Sequence, residues 1–133
     1  MYKRQAKGLI LPEEFAGSID LSSLESAEGL VLPKKVGGNL NLRRLRSAER
    51  LTLPEEVDGN LYLCSLFSTK GLILPKKVGN ILDLRHLLSI KGLVLPKMSG
   101  HRILYLSVVF NNTEEAKKLS KRYPEIRITF ESY

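Results

Sequence analysis

The chain has 133 residues, 43% hydrophobic and 26% charged, with a formal net charge of +7 and a pI near 9.6. This composition suits one globular domain with a real core and excludes a disordered chain. The longest apolar runs are about four residues, so neither a membrane-spanning helix nor a signal peptide is expected.

Residues 1–7 read as a short lead-in. From residue 8 to residue 110 one phrase is repeated five times, beginning "GLILPEEFAGSIDL" and then "GLVLPKKVGGNLNL". Pro12, Pro33, Pro54, Pro75 and Pro96 are spaced by 21 residues, and apolar columns keep step with them. The third place after the proline holds Phe15, Val36, Val57 and Val78, then Ser99. The seventh holds Ile19, Leu40, Leu61, Leu82 and Ile103. The twelfth holds Leu24, Leu45, Leu66, Leu87 and Val108. The fifth copy loses fidelity after its proline, as a terminal repeat does.

Each copy contains two LxL patches, one before the proline and one after the glycines, and alternation of this kind predicts two strands. Proline, lacking an N–H, is expected to end the first. Gly37-Gly38-Asn39, Asp58-Gly59-Asn60 and Gly79-Asn80 are expected to supply a turn with positive φ. One 21-residue unit cannot bury its own leucines, whereas stacked units can. The expected fold is therefore mainly β: a parallel solenoid of five coils, roughly 24 Å tall at a strand spacing of about 4.8 Å. Residues 111–133 form a different segment, read as a helix capped at Asn112 with Glu115. Ala116, Leu119 and Tyr123 make its apolar stripe, Pro124 stops it, and Ile126, Ile128 and Phe130 form a closing strand. The whole, 1–133, is read as a single domain with a C-terminal helix–strand cap.

The stretch "VDGNLYLCSL" followed by "GLILP" resembles leucine-rich repeats, especially the short LP-containing bacterial type, over about residues 8–110. The resemblance implies a stacked β architecture and points to a bacterial source. Two departures stand out. Leu24, Leu45, Leu66 and Leu87 occupy the place that is usually Asn or Cys, and a second LxL patch precedes each proline.

After each proline come Glu13-Glu14, Lys34-Lys35, Glu55-Glu56, Lys76-Lys77 and Lys97-Met98, so neighbouring copies should set opposite charges side by side. The eighth place varies: Asp20, Asn41, Tyr62, Asp83, Leu104. The tenth and eleventh also vary, with Ser22-Ser23, Arg43-Arg44, Cys64-Ser65 and Arg85-His86. Variation on a constant frame marks Asn41, Arg43, Arg44, Tyr62, Asp83, Arg85 and His86 as candidate partner-binding residues, against the plainer reading of a solvated edge. The middle of the first LxL patch holds Ile10, Val31, Thr52, Ile73 and Val94. If leucines face in, Ile10, Val31, Ile73 and Val94 form an outward apolar stripe suited to self-association, or reflect strand propensity alone.

No metal spacing, phosphate loop, nucleophile elbow or CxxC is present, so neither catalysis nor a cofactor or metal is expected. The single Cys64 cannot make an internal disulfide, which fits a cytoplasmic location, with export by a signal-free route left open. The expected role is a non-enzymatic module that binds another protein. The alternatives are nucleic acid or another polyanion held by the arginine column, and a homo-oligomeric structural solenoid joined through its N-terminal coil or its apolar stripe.

Overall fold

The computed structural model describes residues 11–26, 30–49 and 51–131. The chain is mainly β, with two parallel sheets and one α-helix. Strands β1 (Glu14–Phe15), β3 (Lys35–Val36), β5 (Glu56–Val57), β7 (Lys77–Val78) and β9 (Lys97–Met98) form a five-stranded sheet in that order. Strands β2 (Ile19–Asp20), β4 (Leu40–Asn41), β6 (Leu61–Tyr62), β8 (Ile81–Leu84), β10 (Ile103–Ser107) and β11 (Arg127–Glu131) form a six-stranded one.

Through the first four copies the register equals the sequence period. Leu40 lies opposite Leu61 and Leu61 opposite Leu82, while Val36 faces Val57 and Val57 faces Val78. Equivalent leucines therefore share one core. Leu21, Leu42, Leu63 and Leu84 are fully buried, as are Leu24, Leu45, Leu66 and Leu87. Apolar burial is the main force holding such a stack together. The charge alternation after each proline also appears: Glu14 faces Lys35, Lys35 faces Glu56 and Glu56 faces Lys77. Lys76 Nζ lies 3.4 Å from Glu55 Oε1, and Lys35 Nζ 4.0 Å from Glu56 Oε2. Both pairs are solvent-exposed and contribute about 0–1 kcal/mol each.

Among the described residues, the LxL patches before the prolines form no strand. The ladder forms just after the proline, where Lys34 and Lys35 N–H both donate to Glu13 O, and Glu55 and Glu56 N–H both donate to Lys34 O. Among the described residues, one backbone hydrogen bond joins LxLP segments of neighbouring copies, from Leu11 N to Val31 O at 3.1 Å. Alternation fixed which side chains face inward there, with Leu93 and Leu95 buried and Val94 exposed, but alternation does not create pairing.

The turn glycines serve close approach and not positive φ. A Cβ at Gly37 would overlap the backbone of Ala16, and one at Gly79 the carbonyl of Asp58. Successive copies stack backbone on backbone at these points, with Gly59 N donating to Gly38 O at 3.0 Å. Side chains reinforce the stack: Ser18 Oγ accepts from Asn39 N at 2.9 Å, Asn39 Oδ1 from Asn60 N at 2.8 Å and Asn60 Oδ1 from Ile81 N at 3.1 Å. Positive φ falls instead on Gly71 and Gly92, which precede LxLP segments. There Leu72 N donates to Thr69 O and Leu93 N to Ile90 O, closing turns with the glycine at the third place.

In the fifth copy the register slips. Met98, not Ser99, faces Val78, and Leu104, not Ile103, faces Leu82. The intervening turn is longer and includes Arg102 at φ 56. The C-terminal segment does form a helix and a parallel strand. Helix α1 (Glu114–Arg122) is capped by Thr113, whose Oγ1 accepts from Ala116 N at 3.2 Å, and not by Asn112. Asn112 takes φ 65 one residue earlier, a left-handed conformation that asparagine tolerates better than most residues. Ala116, Leu119 and Ile126 enter the core, and β11 covers the edge of β10 along its whole length. The lead-in 1–7 and Ile10 lie outside the described residues.

Candidate interaction surface

The variable places converge around the outer side of β4, β6, β8 and β10. Register sets Asn41 opposite Tyr62, Tyr62 opposite Asp83, and Asp83 opposite Tyr105. Tyr105 was missed by a strict count of 21, which assigns Leu104 to this column. The alternation of "ILYLS" points to it, since Leu104 and Leu106 are buried on either side.

Arg43 and Arg44 do not lie on the strand. They occupy a turn closed by Leu45 N donating to Leu42 O at 3.1 Å, and Arg85 and His86 occupy the equivalent turn closed by Leu87 N and Leu84 O at 3.2 Å. The preceding acidic or amide side chain supports each turn. Asp20 Oδ1 accepts from Ser22 N, Asn41 Oδ1 from Arg43 N and Asp83 Oδ1 from Arg85 N, at 3.0, 3.0 and 3.2 Å. The Ser22 hydroxyl, followed by the Ser22 N–H, holds the Asp20 carboxyl below its ordinary pKa. Asp20, Asn41 and Asp83 therefore owe their identity partly to turn formation.

Two arginines stack on the tyrosines. The Arg43 guanidinium lies 5.6 Å from the Tyr62 ring centre and that of Arg85 5.2 Å from Tyr105, within cation–π range. Tyr62 is also pinned at its hydroxyl, which accepts from Asn60 Nδ2 at 2.8 Å. Arg43, Tyr62, Cys64, Arg85, His86 and Tyr105 help line a concavity of ≈ 550 Å³.

Asp83 is not an outward recognition residue. It is 1% exposed, beneath Arg85, whose Nη2 donates to Oδ2 at 2.6 Å and Nε to Oδ1 at 2.9 Å. Cys64 Sγ donates to the same carboxylate at 3.2 Å. This bidentate contact raises the Arg85 pKa further above its ordinary value and neutralises its charge locally. Burial, followed by the Asp83 carboxylate, pushes the Cys64 thiol up to about 11, which makes it a poor nucleophile at neutral pH. His86 Nδ1 lies 2.6 Å from Cys64 O, so that nitrogen carries the proton. The exposed cations of the surface are Arg43 and Arg44, with the exposed imidazole of His86 in the neighbouring turn. Among the described residues no group of three His, Cys, Asp or Glu could hold a metal ion, and no helix is long and apolar enough to cross a membrane.

Searched against protein-family models, curated proteins and solved structures, the chain matches none of them.

Proposed function

We propose that this chain is a non-enzymatic repeat module, a leucine-rich-repeat-like solenoid of 21-residue rungs, that binds another protein through the surface around Tyr62. The observation that carries this reading is the Arg43–Tyr62 and Arg85–Tyr105 array around a 550 Å³ concavity on a hydrogen-bonded frame. Pinned tyrosines and forked arginines are the side chains that dominate protein interfaces, because they offer large contact area with little conformational freedom to lose. Asp83 is part of the platform beneath them. By holding Arg85 flat against Tyr105 it supports the array and makes no contact of its own with a partner.

Capture of partners with the wild-type chain, compared with a Tyr62→Ala, Arg43→Glu double variant, tests the proposal. Loss of specific partners with an unchanged fold is the expected result. Retention of the same partners would remove this surface from the account. Arg85 is a poor test residue, because removing it leaves a buried carboxylate unpaired at about 3–5 kcal/mol. The exposed cations Arg43 and Arg44 favour a second reading, a polyanion partner. Binding of a labelled single-stranded oligonucleotide at two salt concentrations separates the two: phosphate contacts weaken steeply with salt, whereas an aromatic-centred protein interface does not.

A further inference from the structure

A second surface lies on the LxLP segments, where the copies are not laddered together. Between residues 72–75 and residues 93–96 there is a cleft of ≈ 500 Å³. Ile73 and Val94 stand out from it at 81% and 66% exposure, while Leu93 and Leu95 on either side of Val94 are buried. Apolar side chains this exposed on an ordered frame mark a contact surface. Among the described residues none hydrogen-bonds the backbone of Ile73 or Val94. Leu72, Leu93 and Leu95 donate their N–H groups to Thr69 O, Ile90 O and the Tyr123 hydroxyl, so each segment offers one open backbone position, at Ile73 or Val94, beside an outward apolar side chain, the features that receive an extended chain.

Charge narrows the occupant. Lys91 and Lys76 line the cleft and no acidic residue does, although Lys76 also pairs with Glu55 beside it. A neighbouring hollow of ≈ 320 Å³ shares Lys91 and adds Lys118 and Arg122 against Glu115. Residues 70–133 carry 12 Lys and Arg against 5 Asp and Glu, whereas residues 1–69 carry 9 of each. The net positive charge of the chain thus resides in the half that holds this cleft.

We propose that the cleft takes an extended, acidic segment of another protein, laid alongside residues 72–75 or 93–96. Its alternate apolar side chains would pack on Ile73 and Val94, its backbone would pair with theirs, and its carboxylates would meet Lys91 first and Lys76, shared with Glu55, second. This assignment is independent of the Tyr62 surface and fails or survives separately from it.

The probe is a fluorescein-labelled octapeptide of alternating Glu and Val, titrated with the full chain and read by anisotropy. Saturable binding is expected, weakened about 10-fold or more by Ile73→Glu and by Lys91→Glu, a free-energy change of about 1.4 kcal/mol or more. Both sites are exposed, so neither change threatens folding. Tyr62→Ala should leave the titration unchanged. An alternating Lys–Val peptide, and the Glu–Val peptide N-methylated at every second residue, should bind at least 10-fold more weakly. Equal binding of the basic peptide, equal binding of the methylated peptide, or indifference to Ile73→Glu would each overturn the proposal. So would a concentration-dependent dimer abolished by Ile73→Glu, because the occupant would then be a second copy of the chain.

Discussion

Leu63 and Leu88 look alike in the sequence and opposite in the structure. Leu63 is fully buried between Leu42 and Leu84, whereas Leu88 is 75% exposed. Leu63→Ala removes three carbons, a transfer loss of about 2.4 kcal/mol at about 0.8 kcal/mol per methylene. A cavity term adds to it, because the rungs on either side are held by backbone bonds and cannot collapse inward. Leu63 N donates to Asp83 O and Leu42 N to Tyr62 O, both at 3.0 Å. The expected total is about 3–4 kcal/mol, a large share of the 5–15 kcal/mol typical of a domain. Leu88→Ala should cost less than about 0.5 kcal/mol. Urea unfolding followed by circular dichroism measures both, as shifts in midpoint at constant slope. Equal shifts for the two variants would refute the inside–outside assignment on which both proposed surfaces depend.

Glycine contacts, the helix cap and the thiol give further tests. Gly79→Ala should destabilise by about 1–3 kcal/mol, since its Cβ meets the Asp58 carbonyl; Gly17→Ala, whose nearest neighbour is the Phe15 ring at 3.5 Å, should be tolerated in the same unfolding assay. Thr113→Ala should cost about 1 kcal/mol by removing the cap on Ala116 N. At neutral pH, alkylation of Cys64 by iodoacetamide should be roughly 100-fold slower in the folded chain than in urea, and the rate should rise through pH about 11. Because the folded thiol pKa lies above the unfolded one, this contribution to stability is complete below pH about 9 and is lost as pH rises towards 11. An alkylation rate that levels off near pH 8.5, the ordinary range of a free thiol, would contradict the burial of Cys64 beside Asp83.

Much of the core was legible because burial leaves a periodic mark. The columns at Leu40, Leu61 and Leu82, and the sign changes from Glu14 to Lys35 to Glu56, follow from a spacing of 21. Backbone pairing leaves no such mark, so the LxL patches before the prolines were read as strands when the hydrogen bonds lie just beyond them. The fifth copy shows the limit of a fixed count: two added residues between Met98 and Leu104 moved Tyr105 into the column and Leu104 out of it. At the candidate surface, the residue types identified Arg43, Tyr62 and Arg85. They did not show that Asp83 is buried, because an Asp two residues before an Arg reads equally well as an open patch or as a closed pair. The serines at 47, 68 and 89 were a further signal. Each accepts from the N–H two residues on, in Glu49, Lys70 and Lys91, and their 21-residue spacing marks the same turn in three successive copies.

Methyl contacts between rungs test the central claim most directly. With leucine methyl groups labelled and assigned by single substitutions, nuclear Overhauser effects should link Leu42 to Leu63 and Leu63 to Leu84. None should link Leu42 to Leu84, about 9.6 Å apart at two strand spacings. Absence of the two neighbour contacts, or a direct Leu42–Leu84 contact of equal strength, would contradict the stacking of equivalent residues on which both surfaces rest.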